Sequence, residues 1–471
     1  MKETLRLQFG TAATTIGTQW LALQEANGIT TKPHVLSFEA KGRVRRQVQA
    51  VPKQHKDHTT WDGGLQVYDQ LLRAEPMVDD GLWSWKRLQE HNLVEVDEFR
   101  SHMPLHNFYE GHAVSNGGNI GIKTLEDVED RVRTLLEACD QLRLVQGLVD
   151  MDSSWGGLAH EVLTYVAEEC PGVVIMMVGN DWSYPMATDD DDAIFRVAPI
   201  VRDQTKIEAR KRINIASSVA LLSEVSHLVL PLAMSSSSLP STRCPQLRFD
   251  RSSCADVSTV VATALELSLS THRGRSLYDI MEGVRPSMKV VELFASFPHM
   301  TDPTMLKSIS DSITNEVNGH STVTGHSLHR CSFLPSIQQP PGLQVNEDKT
   351  GKTYYQRLHF RGAFTAYSSL RSSIDNFSIS TRNIALHWSD TSPLKLPATY
   401  RLPTLQNSSV DAISAFALSS RTGDYLHTIA QLASKSHKRT LFEFIRAGMS
   451  FDALEELDAT LATMGDAYYT Q

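Results

Sequence analysis

The chain has 471 residues, of which 41% are hydrophobic, and its 45 basic and 54 acidic side chains give a formal net charge of -9. This length exceeds what one hydrophobic core usually supports, so at least two domains are expected. The negative balance excludes a general nucleic-acid binder, which needs concentrated Lys and Arg. No apolar run approaches the roughly 18 residues of a transmembrane segment, so any membrane contact would be peripheral.

The five cysteines are scattered and form no CxxC pair, which indicates free thiols rather than a disulfide framework. Neither an HExxH pattern nor a Cys/His quartet occurs among the histidines, so no metal ligands are predicted. The first residues resemble neither a secretory signal nor an Arg-rich transit peptide. A cytoplasmic location is therefore expected.

The first half of the chain alternates strand and helix patterns. Residues 5–9 alternate as in a strand with one buried face, Gly10 ends that strand, and the small residues 11–17 predict a tight loop before a helix containing Trp20. The later patterns predict, in order, a strand at 35–38, a helix opened by a capping box at Thr124 and Asp127, a strand at 142–149, a loop at 150–157, a helix at 158–168 and a strand at 173–178 buried on both faces. Such alternation predicts a parallel α/β sheet with a ligand site at the carboxyl ends of its strands.

The second half begins with a long helix, predicted over 207–229 and ended by Pro231. The patterns that follow predict a linker-like stretch at 235–245, a helix at 257–267, a strand at 289–294, an exposed loop at 332–352, and two amphipathic helices around 441–445 and 454–464. The last two helices are expected to pack back on the body as a cap.

Several short motifs recur in an order typical of one protein family. Gly10 and Gly17 bound a Gly-x-x-x-x-x-Ile-Gly loop, and Cys139-Asp140-x-Leu142 precedes a strand. The loop at 150–157 has an aromatic residue between small ones, and Arg212-Ile213-Asn214 opens the long helix. Together these motifs resemble the Misato family and, more remotely, the tubulins. The resemblance covers most of the chain and is weakest at about 47–107 and 244–358.

The resemblance implies a tubulin-like α/β fold. It consists of a Rossmann-like parallel-sheet domain of the nucleotide-binding type at 1–203, a central core helix at 204–232, a second α/β domain with loop insertions at 233–395, and a C-terminal helical region at 396–471. It also implies a non-catalytic role in the organisation, distribution and inheritance of mitochondria, with a link to tubulin folding or assembly. The expected partners are outer-surface proteins of mitochondria, or chaperonin and tubulin, and the expected location is the cytoplasm and the mitochondrial outer surface.

The same resemblance implies which residues would bind GTP if a nucleotide site is retained. They are Gly10, Thr11, Thr14, Gly17, Ser153, Ser154, Gly156, Gly157 and Asn214. Glycines let the backbone approach phosphate closely, the threonine hydroxyls keep some hydrogen bonding to phosphate, and Asn214 would face the guanine. Asp150 and Asp152 would repel phosphate unless a cation bridged them.

Hydrolysis in tubulin-like filaments uses acidic residues in the loop after the central helix. This chain has no Asp or Glu between Glu224 and Asp250. Glu39 falls where tubulins place an aspartate linked to magnesium, but Lys41 stands in place of their next acidic residue. Bound GTP would therefore not be hydrolysed, and no enzyme activity is expected. The acidic run 189–192 is interpreted as a solvated loop. A divergent GTP-binding switch or weak GTPase remains the main alternative, and a filament-forming protein is a third.

Overall fold

The structure is a computed structural model that describes most of the chain. The described residues are 3–29, 33–41, 92–100, 106–182, 204–241, 243–244, 247–269, 286–296, 331–336, 353–362, 384–388, 393–397, 400, 409–436 and 438–469. The acidic run 189–192 and residues 337–352 of the predicted exposed loop lie outside these ranges.

Six parallel strands form the sheet of the N-terminal half. They are β1 (Glu3–Phe9), β2 (His34–Lys41), β3 (Leu93–Arg100), β4 (Leu142–Asp150), β5 (Val174–Asn180) and β6 (Leu228–Leu232). Their spatial order is β3-β2-β1-β4-β5-β6, which is the order of dinucleotide-binding α/β folds. The order reverses between β1 and β4, so the ligand crevice of such a fold lies at the carboxyl ends of these two strands.

Strands β1, β2, β4 and β5 lie where the hydrophobic patterns predicted them, whereas β3 was not predicted. Every residue of β5 is buried, as expected for a continuous apolar strand covered on both faces. The helices that cover the sheet are α1 (Thr11–Ala26), α2 (Ile122–Glu137), α3 (Trp155–Glu169) and α4 (Gln204–Val225). The predicted Rossmann-like α/β architecture of this half is therefore confirmed.

Two predicted loops in this half are shorter than the sequence indicated. Residues 11–17 are the first two turns of α1 and not a loop, so only Gly10 separates β1 from the helix. Their threonines are tolerated because Thr14, Thr15 and Thr18 hydroxyls donate to main-chain carbonyls four residues earlier. The predicted loop at 150–157 also ends early, because α3 begins at Trp155.

The predicted capping box of α2 is wrong. The helix begins at Ile122, two residues before Thr124, and its N-cap residue Gly121 provides no side-chain hydrogen bond. The Thr124 hydroxyl instead donates to Glu98 Oε1 at 2.8 Å, and the same oxygen accepts the Gly121 amide at 2.9 Å. A carboxylate from β3 thus caps this helix, which local spacing alone does not reveal.

The assignment of residues 204–232 to one helix is also wrong. Helix α4 ends at Val225, and residues 228–232 form β6 at the edge of the first sheet. Pro231 lies inside this strand, where an edge position tolerates the missing amide hydrogen. Val229 also bridges to Val290, which connects the first sheet to the second half of the chain.

A four-stranded mixed sheet forms the centre of the second half. Its strands are β7 (Glu292–Ser296), β8 (Thr353–Arg361), β9 (Ile384–Trp388) and β12 (Ala412–Ser419), in the order β7-β12-β8-β9. Strand β12 is antiparallel to β7 and β8, and helix α5 (Cys254–Leu269) packs on this sheet. Two short strands, β10 (Leu394–Lys395) and β11 (Ser409–Val410), pair separately.

Two sequence boundaries in this half need correction. The region 396–471 is not purely helical, because it supplies β12 to the sheet. Residues 332–334, at the start of the predicted exposed loop, are buried, since the Phe333 amide donates to Leu293 O and its carbonyl accepts from the Ala233 amide. These contacts join residues distant in sequence, so the local composition did not indicate them.

The last three helices cover one face of the molecule. They are α6 (Ser420–Ser434), α7 (Lys438–Arg446) and α8 (Ala453–Asp466). Helices α7 and α8, which are the two predicted amphipathic helices, both contact α4 and so pack back on the body as predicted, and α6 packs on α8 and α4. The break between α7 and α8 falls at Gly448, whose φ is 102° and which lies against Gly117.

A buried polar chain joins the two halves. The Arg6 guanidinium on β1 lies 3.8 Å from the ring centre of Trp20 on α1, and its Nε donates to Gln146 Oε1 at 2.9 Å. Trp20 Nε1 in turn donates to Glu266 Oε2 on α5 at 2.8 Å. Because α1 packs along α5, this chain lies inside the interface between the first sheet and the second half.

Candidate functional site

The candidate site is the crevice at the carboxyl ends of β1 and β4, which we define by Gly10, Asp150 and Trp155. Gly10 has a φ of 96°, a conformation that residues with a Cβ atom rarely adopt. A Cβ atom there would lie 2.4 Å from Asp150 Oδ2 and 2.8 Å from Trp155 Cδ1. Glycine at this position therefore lets the Asp150 and Trp155 side chains approach the turn closely.

The Asp150 carboxyl group lies at the amino end of α1. Its Oδ2 accepts the Ala12 amide at 3.2 Å, and its Oδ1 accepts the Ala13 amide at 2.8 Å and Asn180 Nδ2 at 2.8 Å. The free amides at a helix amino end, together with the helix dipole, form the place where this fold class binds phosphate. Here an internal carboxyl group takes two of those amides.

The surroundings of Asp150 change its acidity. Burial, reinforced by the carboxylates of Asp152 and Glu39, raises the pKa of Asp150 to about 8, in spite of opposing hydrogen bonds from Asn180 and the Ala13 amide. The group therefore takes up a proton close to neutral pH. Protonated or not, its oxygens remain the acceptors of the α1 amides.

The threonines predicted to contact phosphate donate their hydroxyl hydrogens within the protein. Thr11 Oγ1 donates to Glu39 Oε2 on β2 at 2.9 Å, and Thr14 Oγ1 donates to Gly10 O at 2.9 Å. Both threonines are buried. The predicted hydroxyl donors to phosphate are thus used to fix α1 and β2 around the crevice.

Gly17 is not part of the crevice. It lies in the second turn of α1, and a Cβ atom there would come within 2.0 Å of Gln8 Nε2 on β1. Gln8 is itself held by the Ser37 hydroxyl, which donates to Gln8 Oε1 at 2.9 Å. The Gly-x-x-x-x-x-Ile-Gly spacing therefore reflects close packing of α1 on the sheet, at least at its second glycine.

The second predicted loop contributes Ser153 and Ser154 to the turn between β4 and α3. Ser153 Oγ donates to Asp150 O at 3.1 Å and accepts the Trp155 amide at 3.4 Å. Ser154 is fully buried, and its carbonyl accepts the Gly157 amide. Trp155 then stacks on Phe99 with ring centres 3.9 Å apart, which covers this side of the crevice.

Gly156 and Gly157 lie in the first turn of α3 and face protein atoms. A Cβ atom on Gly156 would lie 2.2 Å from Ser218 Oγ, and one on Gly157 would lie 2.1 Å from Phe108 O. Residues 106–111 run across this turn, and Gly111 approaches it as closely. These glycines therefore make room for the segment 106–111.

Asn214 fixes that same segment from α4. Its Oδ1 accepts the Phe108 amide at 2.9 Å, and its Nδ2 donates to His106 O at 2.6 Å and to Asp152 O at 2.8 Å. The side chain is fully buried. Its amide group is thus bonded to main-chain atoms, and it holds the segment and the β4–α3 turn together.

Sequence reasoning missed two side chains at the carboxyl end of β5. Asn180 bonds Asp150, and Asp181 accepts the Met234 and Ser235 amides at 2.7 and 3.1 Å. The predicted linker at 235–245 is therefore anchored to the carboxyl edge of the sheet at Ser235. Asn180 ends a buried strand and Asp181 directly follows it, which is the sequence signal that could have identified them.

Of the nine predicted site residues, Gly10, Thr11, Thr14, Ser153 and Ser154 lie around the crevice, whereas Gly17, Gly156, Gly157 and Asn214 pack against other elements. No protein-family model matches the sequence. Among the helices that the structure describes, none has both the length and the apolar character needed to cross a bilayer.

Proposed function

We propose that this chain is a non-catalytic protein of tubulin-like fold that acts through protein partners in the distribution and inheritance of mitochondria. Its place of action is the cytoplasm and the outer surface of the organelle, and its partners are outer-surface proteins, or chaperonin and tubulin. The proposal takes its biological role from the family resemblance. Its chemical part rests on the crevice.

The observation that carries the chemical part is the position of Asp150. A phosphate at the amino end of α1 would need the Ala12 and Ala13 amides, which already donate to this carboxyl group. Displacing it would leave a buried carboxyl group without three of its donors, at a cost of about 1 to 3 kcal/mol for each unsatisfied group. We infer that the internal carboxyl group has taken the place of a nucleotide phosphate.

The remaining contacts of the crevice support the same inference. The glycines at the start of α3 accommodate Phe108 and Ser218, and Asn214 is bonded to main-chain atoms of this chain. The sequence between Glu224 and Asp250 offers no acid to activate water. Each of these features favours a protein that neither binds nor hydrolyses GTP.

The tubulin-like part of the proposal is supported by the order of the elements. A six-stranded parallel sheet is followed by the long helix α4, a second α/β unit and helices that pack back on α4. This is the sequence of units that the resemblance implies. Fold alone does not fix function, so the cellular role requires its own test.

The first experiment measures the unfolding midpoint of the full chain with and without GTP and magnesium. A ligand present at 100 times its dissociation constant should stabilise the folded state by about 2.7 kcal/mol. We expect no shift at millimolar nucleotide. A clear shift would contradict the inference from Asp150 and would favour the GTP-binding switch.

The second experiment tests the role in cells with a matched pair of variants at Ser153. Ser153→Glu adds a negative charge at the crevice that would repel phosphate, but an acid is tolerated there because it precedes the amino end of α3. Ser153→Ala removes the hydroxyl without adding charge. In cells depleted of the protein, both variants should restore the mitochondrial distribution as well as the natural chain does.

The outcomes of this rescue separate the two parts of the proposal. If Ser153→Ala restores the distribution and a folded Ser153→Glu does not, function depends on an anionic ligand and the nucleotide-independent mechanism is wrong. If depletion leaves the mitochondrial distribution unchanged, the cellular role itself is wrong, whatever the result with nucleotide.

A further inference from the structure

A cluster of metal-ligating side chains lies at the amino ends of the strands of the first sheet, opposite the crevice at their carboxyl ends. Glu3 is the first residue of β1, His34 is the first residue of β2, and Cys139 follows α2. One ligand atom from each of the three lies within 4.8 Å of the others, and all three residues are half-buried. A thiol, an imidazole and a carboxylate from three separate elements thus converge on one point.

The backbone holds the cluster together. Strands β1 and β2 are parallel neighbours, so their first residues lie at the same end of the sheet. The Glu3 amide donates to Gln141 O at 3.1 Å, and the Gln141 amide donates to Glu3 Oε2 at 3.1 Å. These two bonds fix the start of β1 beside the turn that carries Cys139. The backbone of the sheet and of this turn thus brings the three residues together.

We propose that Glu3, His34 and Cys139 bind a zinc ion, with water as the fourth ligand. Thiolate, imidazole and carboxylate are the ligand types that zinc uses, whereas magnesium and calcium take oxygen ligands. Bonds of about 2.0 to 2.3 Å to a tetrahedral ion place ligand atoms roughly 3.3 to 3.8 Å apart. Side-chain rotations that move the ligand atoms by about 1 Å would bring them from within 4.8 Å of one another to that spacing.

Binding exchanges a proton for the metal. The Cys139 thiol donates to Leu135 O at 3.2 Å, in the last turns of α2. The ion replaces the thiol proton, which is released to solvent, and the sulfur becomes a thiolate ligand. The ion would tie β1, β2 and the end of α2 together. The site is independent of the proposed function, since β1 spans about 20 Å between it and the crevice.

Cobalt provides the direct test, because a thiolate bound to Co²⁺ gives a charge-transfer band in the near ultraviolet. The full chain is stripped with a chelator and titrated with Co²⁺ alone. We expect one equivalent to produce this band, together with the visible bands of a four-coordinate ion, and Zn²⁺ to abolish both. A folded chain that gives no thiolate-to-cobalt band would overturn the proposal.

Variants assign the ligands. Cys139→Ser should lose the charge-transfer band, and Cys254→Ser, which alters a half-buried cysteine on α5, should keep it. His34→Gln should weaken Co²⁺ binding at least about tenfold. Losing a group that only hydrogen-bonds a metal ligand already weakens binding about tenfold or more, and His34 is proposed as a ligand itself. Circular dichroism of the metal-free proteins checks folding.

Two results would contradict the assignment. The charge-transfer band could persist in Cys139→Ser, which would place the metal on another thiol. Alternatively, His34→Gln, which keeps the thiol, could bind Co²⁺ as tightly as the natural chain does. The second result decides the question even if Cys139→Ser fails to fold.

Discussion

Replacing Asp150 with Asn tests the hydrogen bonds at the amino end of α1 with the smallest change of shape. The carboxyl group accepts three N–H donors, from the Ala12 amide, the Ala13 amide and Asn180. An amide side chain has only one acceptor oxygen. If that oxygen takes the Oδ1 position, it keeps two of the bonds, and its NH₂ group faces the Ala12 amide, which loses its acceptor.

The magnitude follows from that count. One buried donor left without an acceptor costs about 1 to 3 kcal/mol. Turning the new amide around would keep the bond to Ala12 and lose the two shorter ones, which is worse. Because the new NH₂ group also adds buried donors beside the Ala12 amide, we expect Asp150→Asn to lower the free energy of unfolding by at least about 1 to 3 kcal/mol.

The assay is urea denaturation at pH 7, followed by tryptophan fluorescence, since Trp155 lies in the crevice. Asp127→Asn, on the exposed face of α2, makes the same chemical change without burial and should alter stability by less than about 0.5 kcal/mol. If the two variants unfold at the same urea concentration, the amides of α1 do not depend on Asp150, and the inference drawn from them fails.

Three further predictions use the same measurement. Burial raises the pKa of Asp150 to about 8, above its ordinary value of 3.8, so the stability that this group contributes is complete below about pH 4 and is lost as the pH rises toward 8. The natural chain should therefore lose part of its stability advantage over Asp150→Asn between pH 5 and 8, by at most about 1.4 kcal/mol per pH unit. A difference that stays constant with pH would contradict this prediction. Gly157→Ala should cost about 1 to 3 kcal/mol, since its Cβ would lie 2.1 Å from Phe108 O, while Gly147→Ala, whose Cβ would lie 3.2 Å from a flexible leucine side chain, should cost less; equal effects would show that residues 106–111 give way. Trp20→Phe removes the hydrogen-bond donor to the buried carboxyl group of Glu266 and should lower the free energy of unfolding by about 1 to 3 kcal/mol. An unchanged unfolding midpoint would show that this hydrogen bond does not stabilise the fold.

Strands β1, β2, β4 and β5 could be predicted because their signal is local. Continuous apolar residues in β5 indicate a buried strand directly, without knowledge of the partner strands. The alternation in β1 also indicated a strand, but the prediction of a single buried face is wrong, because Arg6 and Gln8 on the other face are buried as well. Helix boundaries were less accurate. Pro231 suggested the end of a helix, although it lies in an edge strand, and Thr124 suggested a cap that Glu98 on another element provides.

The candidate site was harder to predict because its contacts join distant residues. The spacing of Gly156 and Gly157 indicates that the backbone must be approached closely, but not that Phe108 rather than a phosphate approaches it. The convergence of His34 and Cys139 likewise depends on strand order. The sequence thus shows where the backbone is approached closely, but only the tertiary structure shows which group approaches it and which distant side chains meet.

The buried chain from Arg6 through Trp20 to Glu266 limits how the molecule can move. Separating α1 from α5 would carry a guanidinium and a carboxyl group through an apolar interface before water reached them. A hinge motion that separates α1 from α5 is therefore energetically unfavourable. A partner that binds both halves would therefore meet α1 and α5 already held together by this chain.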